Sequence, residues 1–149
     1  MRGLKGAEVG CIKSHINVLT NTDSELILVL EDDFELVDDF DSKLIKCLAE
    51  LPDDWQGLWL GGRTVKPREN YSEHLQKIQA TTGAFGYIVR KSFVADLVAE
   101  LEKFTLLADW AMSKAFKRVY RSKRNLVKHK NGYSYIQNKD VRYADLSHE

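Results

Sequence analysis

The sequence predicts an α/β fold, a sheet flanked by helices, from three observations. Glu25-Leu26-Ile27-Leu28-Val29-Leu30 is a short β-rich apolar run of the kind that forms a strand buried on both faces, as in a parallel sheet. Val9, Ile12, Ile16 and Leu19 recur at helical spacing just before it. A second helical pattern and a second apolar run follow, so helices and strands alternate.

Ala7 to Thr20 reads as an amphipathic helix, and Thr22-Asp23-Ser24 as the polar break after it. The first strand then ends abruptly in Glu31-Asp32-Asp33. A helix from Asp39 to Leu51 puts Leu44, Leu48 and Leu51 on one face, and Pro52 stops it. Trp55 to Gly61 reads as another buried strand, closed by Gly61-Gly62. Arg63 to Gln76 is polar and irregular and reads as a long loop, a common place for function. Within Ala80 to Val89, Thr82-Gly83-Ala84-Phe85-Gly86-Tyr87 reads as a turn entering a strand. Ser92 is the expected N-cap of a helix through Phe104, and Asp109 to Lys117 is a further short helix. The tail from Arg118 is basic and aromatic, with one or two short strands.

The chain has 149 residues, which suits one domain over 1–149 and leaves room for a sizeable core. Hydrophobic residues are 44% and charged residues 30%, with Lys+Arg 22 against Asp+Glu 22. That balance gives no reason to expect nucleic acid as a partner. Cys11 and Cys47 are too few and too far apart for a disulfide framework or a zinc site. They fit a reducing compartment. The opening residues lack the apolar stretch of a signal peptide and no run is long enough to span a bilayer, so a cytoplasmic protein is expected.

Three consecutive carboxylates at a strand end repel one another, and a divalent cation is the usual remedy. Side chains alternate along a strand, so Glu31 and Asp33 are expected on one side and Asp32 on the other. Mn²⁺ or Mg²⁺ takes one or two carboxylates together with phosphate oxygens of a substrate. The alternative is a solvated acidic loop that caps a helix. Ligands bind beyond the carboxyl ends of strands in open α/β sheets, which places the acidic cluster and Gly61-Gly62 on one rim.

Several segments resemble one family. Gly6-Ala7-Glu8-Val9-Gly10-Cys11-Ile12-Lys13-Ser14-His15 resembles the G-x-x-G-C-x-x-S-H helix of glycosyltransferase family 25, which includes lipopolysaccharide and lipooligosaccharide sugar transferases and collagen galactosyltransferases. Leu28-Val29-Leu30-Glu31-Asp32-Asp33 is similar to its L-E-D-D metal motif. Trp55 to Gly61, Thr82 to Val89, Ala108-Asp109-Trp110 and Asn131 to Ile136 resemble its later segments, in the same order. Two departures stand out. The family opens with a further strand–helix unit that helps hold the nucleotide base, whereas this sequence starts at the G-x-x-G-C-x-x-S-H helix. Tyr135 also stands where the family's closing motif has Asp.

The resemblance implies a truncated GT-A-like mixed sheet and sugar transfer from a nucleotide-sugar, a UDP-sugar, to a hydroxyl of a glycan, glycolipid or protein acceptor, with inversion. Inversion needs a general base on the acceptor, and Asp109, at the opening of a helix, is the candidate. An N-cap is its alternative role. Glu31 and Asp33 are the candidate metal ligands, with His129 as a third. Ser14, His15, Asp32, Gly61 and Gly62 are candidates for the donor side, and Gly83 and Gly86 for the acceptor side. His15 has the alternative role of a structural contact from its helix to the acidic strand. Lys114, Lys117, Arg118, Arg121, Lys123 and Arg124 form a basic stretch, either a solvated face or a surface for diphosphate, anionic glycolipid or membrane. The alternative to an enzyme is a non-catalytic module or fragment completed by a partner chain or a second copy.

Overall fold

The computed structural model describes residues 3–134 and 139–141. Helix α1 (Gly6–Asn21) leads into β1 (Leu26–Leu30) and the short β2 (Phe34–Leu36). Helix α2 (Phe40–Glu50), β3 (Gly57–Trp59), β4 (Arg63–Asn70), β5 (Leu75–Thr82) and β6 (Gly86–Arg90) follow. A 3-10 turn (Lys91–Phe93), α3 (Val94–Leu101), α4 (Ala108–Ala115), β7 (Val119–Ser122), β8 (Val127–His129), β9 (Gly132–Ser134) and β10 (Lys139–Val141) complete it.

The main sheet has six strands in the order β1-β6-β3-β7-β5-β4. It is mixed: β3 and β7 run parallel, and the other neighbouring pairs are antiparallel. Helices flank both faces. Ile12 and Leu19 of α1, Leu97 and Leu101 of α3 and Met112 of α4 pack with Ile27, Val29, Trp59, Tyr87 and Val89 on one face. Cys47, Leu44 and Leu48 of α2 pack with Leu58, Leu60, Ile88 and Tyr120 on the other. The cysteines are unbridged. No helix among the described residues is long and apolar enough to cross a membrane.

Four expectations need correcting. β1 is not buried on both faces: it is an edge strand paired with β6, and Leu26 and Leu28, 45% and 41% exposed, alternate with buried Ile27 and Val29, so only one of its faces is covered. The stretch expected as a loop is a hairpin of β4 and β5. Its polar residues conceal it, since β4 is the opposite edge of the sheet, where charged residues are suited to a free strand. The register slips between Val65 and Arg68, where Pro67 has no N–H to give a ladder. Ser92 lies inside the 3-10 turn, and Phe93 holds the N-cap of α3. Within the basic stretch Arg121 departs from the solvated face: it is 2% exposed and donates to Asn125 Oδ1 at 2.7 Å, whereas Lys114 and Arg118 are exposed and pair at the surface with Glu100 at 3.0 Å and Asp54 at 3.3 Å.

The end of β3 seats β8. Leu126 and Val127 donate backbone N–H groups to the Leu60 carbonyl at 2.7 and 3.0 Å. A Cβ on Gly61 would lie 2.3 Å from the Val127 carbonyl oxygen and 2.4 Å from a Phe85 ring carbon. A Cβ on Gly86 would lie 2.8 Å from the Val127 side chain. The closeness that glycine permits here is therefore taken up by the chain's own β8. Gly61→Ala is expected to destabilise by about 1–3 kcal/mol through overpacking, read as a lower urea midpoint at unchanged slope. Gly10→Ala is the control, because nothing lies within 4 Å of its added Cβ on helix α1. It is expected to stabilise by roughly 0.5–1 kcal/mol.

Candidate metal centre and its surroundings

Strand β1 ends at Leu30, and residues 31–33 turn the chain into β2. β2 pairs antiparallel with β8 so that Phe34 faces His129. Lys130 N–H donates to the Asp33 carbonyl at 2.8 Å and closes the pairing. This small ladder carries His129 to the acidic cluster across a long stretch of sequence.

A single ring nitrogen, His129 Nε2, stands 3.1 Å from Asp33 Oδ2 and 3.6 Å from Glu31 Oε2. The other nitrogen, Nδ1, lies 3.1 Å from the Lys130 carbonyl oxygen. With its proton on Nδ1, the ring donates to that carbonyl and turns the Nε2 lone pair toward both carboxylates. Phe85 packs edge-on against the ring at 5.2 Å. Asp33 Oδ1 is buried with no hydrogen-bond partner among the described residues. Glu31, Asp33 and His129 each offer a ligand atom within 4.8 Å of the others.

Burial would raise the Glu31 carboxyl, but the neighbouring imidazoles of His129 and His15 outweigh it and hold the group at about 2. Burial, together with the Glu31 charge, moves Asp33 up despite the opposing pull of His129. Burial alone would lower His129, yet its contacts with Glu31, the Lys130 carbonyl and Asp33 move it above 6.5. Without a cation, the three groups thus share proton and charge. The signs give the pH dependence. The raised His129 contributes stability below pH 6.5 that is lost as pH rises through its folded value. The lowered Glu31 contributes stability above pH 4.5 that is lost as pH falls toward about 2. The trio's charge pairing is therefore fullest between these limits in the metal-free protein.

The glutamate–histidine cluster at Glu50, Glu73 and His74 differs in kind. There Nδ1 faces Glu50 at 3.2 Å and Nε2 faces Glu73 at 3.9 Å, so the two carboxylates face different ring nitrogens. Glu50 also accepts from Ser72 Oγ and the His74 N–H, both at 3.0 Å. It ties α2 to the β4–β5 hairpin.

The other expected site residues divide. His15 is 5% exposed, with Nδ1 2.9 Å from the Tyr87 hydroxyl and Nε2 3.9 Å from Glu31 Oε1. These contacts link the helix to the acidic strand. Ser14 is exposed and donates to the Gly10 carbonyl of its own helix at 3.0 Å, away from the cluster. Asp32 is exposed and belongs to neither group of contacts. Gly62 and Gly83 take φ of 126° and 81°, conformations that favour glycine, and pack against each other. Gly86 lies under the Val127 side chain, which an added Cβ would meet at 2.8 Å.

Asp109 is the second residue of α4, whose N-cap is Leu107. Its Oδ2 accepts from the Gly83 N–H and its Oδ1 from the Trp110 N–H, both at 2.8 Å. It thus lies two positions past the actual cap rather than at it, and it clasps the Gly83 turn. Burial pushes the Cys11 thiol up to about 11, with the charges of Glu31 and Asp109 adding to it. Tyr135 lies outside the described residues.

Sequence reasoning missed Tyr87 and Trp59. Tyr87 is fully buried, stacked on Trp59 at 5.1 Å, and its hydroxyl reaches His15. The available signal was a tyrosine in an apolar strand, since a buried phenol must find a hydrogen-bond partner.

Comparison with known proteins bears on this geometry. Residues 1–112 match glycosyltransferase family 25, described as LPS biosynthesis protein. Comparison with curated proteins returns no match. The matched residues include Glu31, Asp33 and Asp109, while His129 lies beyond them and its place rests on geometry alone. The match spans well over half of the sequence, and the chain belongs to glycosyltransferase family 25.

Proposed function

We propose that this chain is a metal-dependent glycosyltransferase. It transfers a sugar from a nucleotide-sugar, a UDP-sugar, to a hydroxyl of a glycan, lipooligosaccharide or protein acceptor with inversion. The observation that carries the reading is that one nitrogen of His129 meets both Asp33 Oδ2 and Glu31 Oε2, while Asp33 Oδ1 is buried with no hydrogen-bond partner among the described residues. An orphaned carboxylate oxygen beside a second carboxylate is costly unless something positive fills the gap. Two carboxylates and one imidazole suit Mn²⁺, and Mg²⁺ less well. When bound there, the cation would supply positive charge against a diphosphate leaving group.

The chain's own residues do the rest. Neutral His129 turns its Nε2 lone pair toward the cluster when its Nδ1–H donates a hydrogen bond to the Lys130 carbonyl. Asp109 uses one lone-pair site on each oxygen for backbone N–H groups and keeps another on each, which is what accepting an acceptor-hydroxyl proton requires. The same clasp on Gly83 favours a second reading, a non-catalytic sugar-binding relative in which Asp109 only shapes the turn.

Calorimetry of UDP binding with and without Mn²⁺ tests the first reading. UDP should bind only with Mn²⁺ in wild type and fail to bind in Glu31→Ala/Asp33→Ala. UDP binding that ignores both metal and variant would sink it. A pH arm follows from the raised His129. The cation competes with that proton, so Mn²⁺ affinity and the thermal stabilisation it confers should rise from pH 6 to pH 8, with proton release on binding. A flat profile would count against His129 as a ligand.

A further inference from the structure

Glu31 has two oxygens and two histidine neighbours. Oε2 is turned to His129 at 3.6 Å, and Oε1 is turned to His15 Nε2 at 3.9 Å. The first belongs to the candidate metal centre. The second leads away from it, through a buried imidazole, to Tyr87.

Tyr87 is 0% exposed, and its hydroxyl has His15 Nδ1, at 2.9 Å, as its hydrogen-bond partner among the described residues. Burial pushes the phenol far up, with the Glu31 charge adding to it, so it remains a hydroxyl. A buried hydroxyl proton without an acceptor carries its full desolvation penalty. The proton therefore goes to Nδ1, which must then be the unprotonated nitrogen. The ring proton sits on Nε2 and faces the Glu31 carboxylate. The opposite tautomer would strand the phenol proton and aim an Nε2 lone pair at a carboxylate. Two further contacts keep the phenol in place. Its ring stacks on Trp59 at 5.1 Å and 18°, and the Trp59 indole N–H donates to the Gly83 carbonyl at 3.1 Å.

We infer that Tyr87 is a positioning residue: it fixes His15 as the Nε2–H tautomer, and His15 in turn holds Glu31 Oε1 so that Oε2 stays turned toward the cation site. Neither Tyr87 nor His15 needs to touch donor or acceptor in this role. The tautomer is a property of the metal-free protein; the link to cation affinity rests on the proposed function. Groups that orient a metal ligand from behind are typically worth ~10–100-fold in affinity.

The test uses the full chain and Mn²⁺ alone. In metal-free wild type at pH 8, ring ¹⁵N shifts should show His15 protonated on Nε2 and bare on Nδ1. In Tyr87→Phe, which keeps the ring and its stacking, that preference should weaken or reverse, and Mn²⁺ affinity should fall about 10-fold. His15→Gln, whose amide can still donate to Glu31, should retain more Mn²⁺ affinity than His15→Leu. Circular dichroism confirms that each variant is folded. A wild-type His15 with its proton on Nδ1, or a Tyr87→Phe variant with unchanged ring shifts, overturns the inference. Wild type that binds no Mn²⁺ would overturn the proposed function instead, and the ring shifts would still decide the role of Tyr87.

Discussion

Asp33→Ala is expected to weaken Mn²⁺ binding by about 100-fold or more while leaving the metal-free protein as stable as wild type, or slightly more so. The affinity loss follows from removing a direct ligand, given that even supporting residues around metal sites are worth ~10–100-fold. At 100-fold the change is roughly 2.7 kcal/mol. The stability side has the opposite sign for a specific reason. Asp33 Oδ1 is buried without a partner among the described residues, and Glu31 stands beside it as a like charge. Its carboxyl is moved up accordingly, which means the folded state disfavours the ionised form. Removing it costs the Oδ2 contact to His129 at 3.1 Å but relieves both burdens. The backbone tie from Lys130 to the Asp33 carbonyl is untouched, so β2 and β8 stay paired. A purely structural aspartate would behave in reverse, losing stability on truncation with no effect on Mn²⁺. Thermal unfolding with and without saturating Mn²⁺ separates the two. A large drop in the metal-free midpoint, with the Mn²⁺ increment intact, would rule out Asp33 as a ligand.

What could be read from the sequence was local, and what could not was pairing. α1 and α2 were legible because Ile12, Ile16 and Leu19, and Leu44 and Leu48, state a helical period within their own segments. Leu26–Leu30 was legible as a strand, yet not as an edge strand, because that depends on β6, many residues later. The β4–β5 hairpin was hidden because its polar residues meet water at the far edge of the sheet. At the site, Glu31 and Asp33 were legible, since adjacent carboxylates after an apolar run are chemically conspicuous. His129 carried only its residue type, and the β2–β8 ladder supplies the rest. Gly61 and Gly86 were read as openings toward substrate because a glycine does not reveal what occupies the space beside it. Here that neighbour is Val127, the residue that starts the strand ending in His129. Glycines beyond the matched carboxylates thus serve the site from behind, by letting β8 close on β3 and β6.

Trp59→Ala is expected to cost about 3–5 kcal/mol, the usual range for deleting a large buried aromatic. Trp59 is 2% exposed. It stacks on Tyr87 at 5.1 Å and meets Phe116 edge-on at 5.5 Å, and Phe116 in turn stacks on Phe93 at 5.0 Å. Such pairs add roughly 0.5–1.5 kcal/mol each beyond area burial. The indole N–H also satisfies the Gly83 carbonyl, while the Gly83 N–H is held by Asp109. One residue therefore braces both the Tyr87 ring and the turn that Asp109 clasps. Against a total stability of ~5–15 kcal/mol, the loss leaves the variant marginal. Trp59→Phe separates packing from hydrogen bonding. It keeps an aromatic face for Tyr87 and Phe116 but leaves the Gly83 carbonyl without its donor, at a cost of about 1–3 kcal/mol. Urea midpoints at constant slope measure both variants. The ordering is the sharper result: wild type, then Trp59→Phe, then Trp59→Ala. If Trp59→Ala fell within about 1 kcal/mol of wild type, well below the usual range for such deletions, the aromatic stack would not be the keystone of this face. The turn at Gly83 would then have to be held chiefly by Asp109, and Asp109→Ala would become the more damaging substitution.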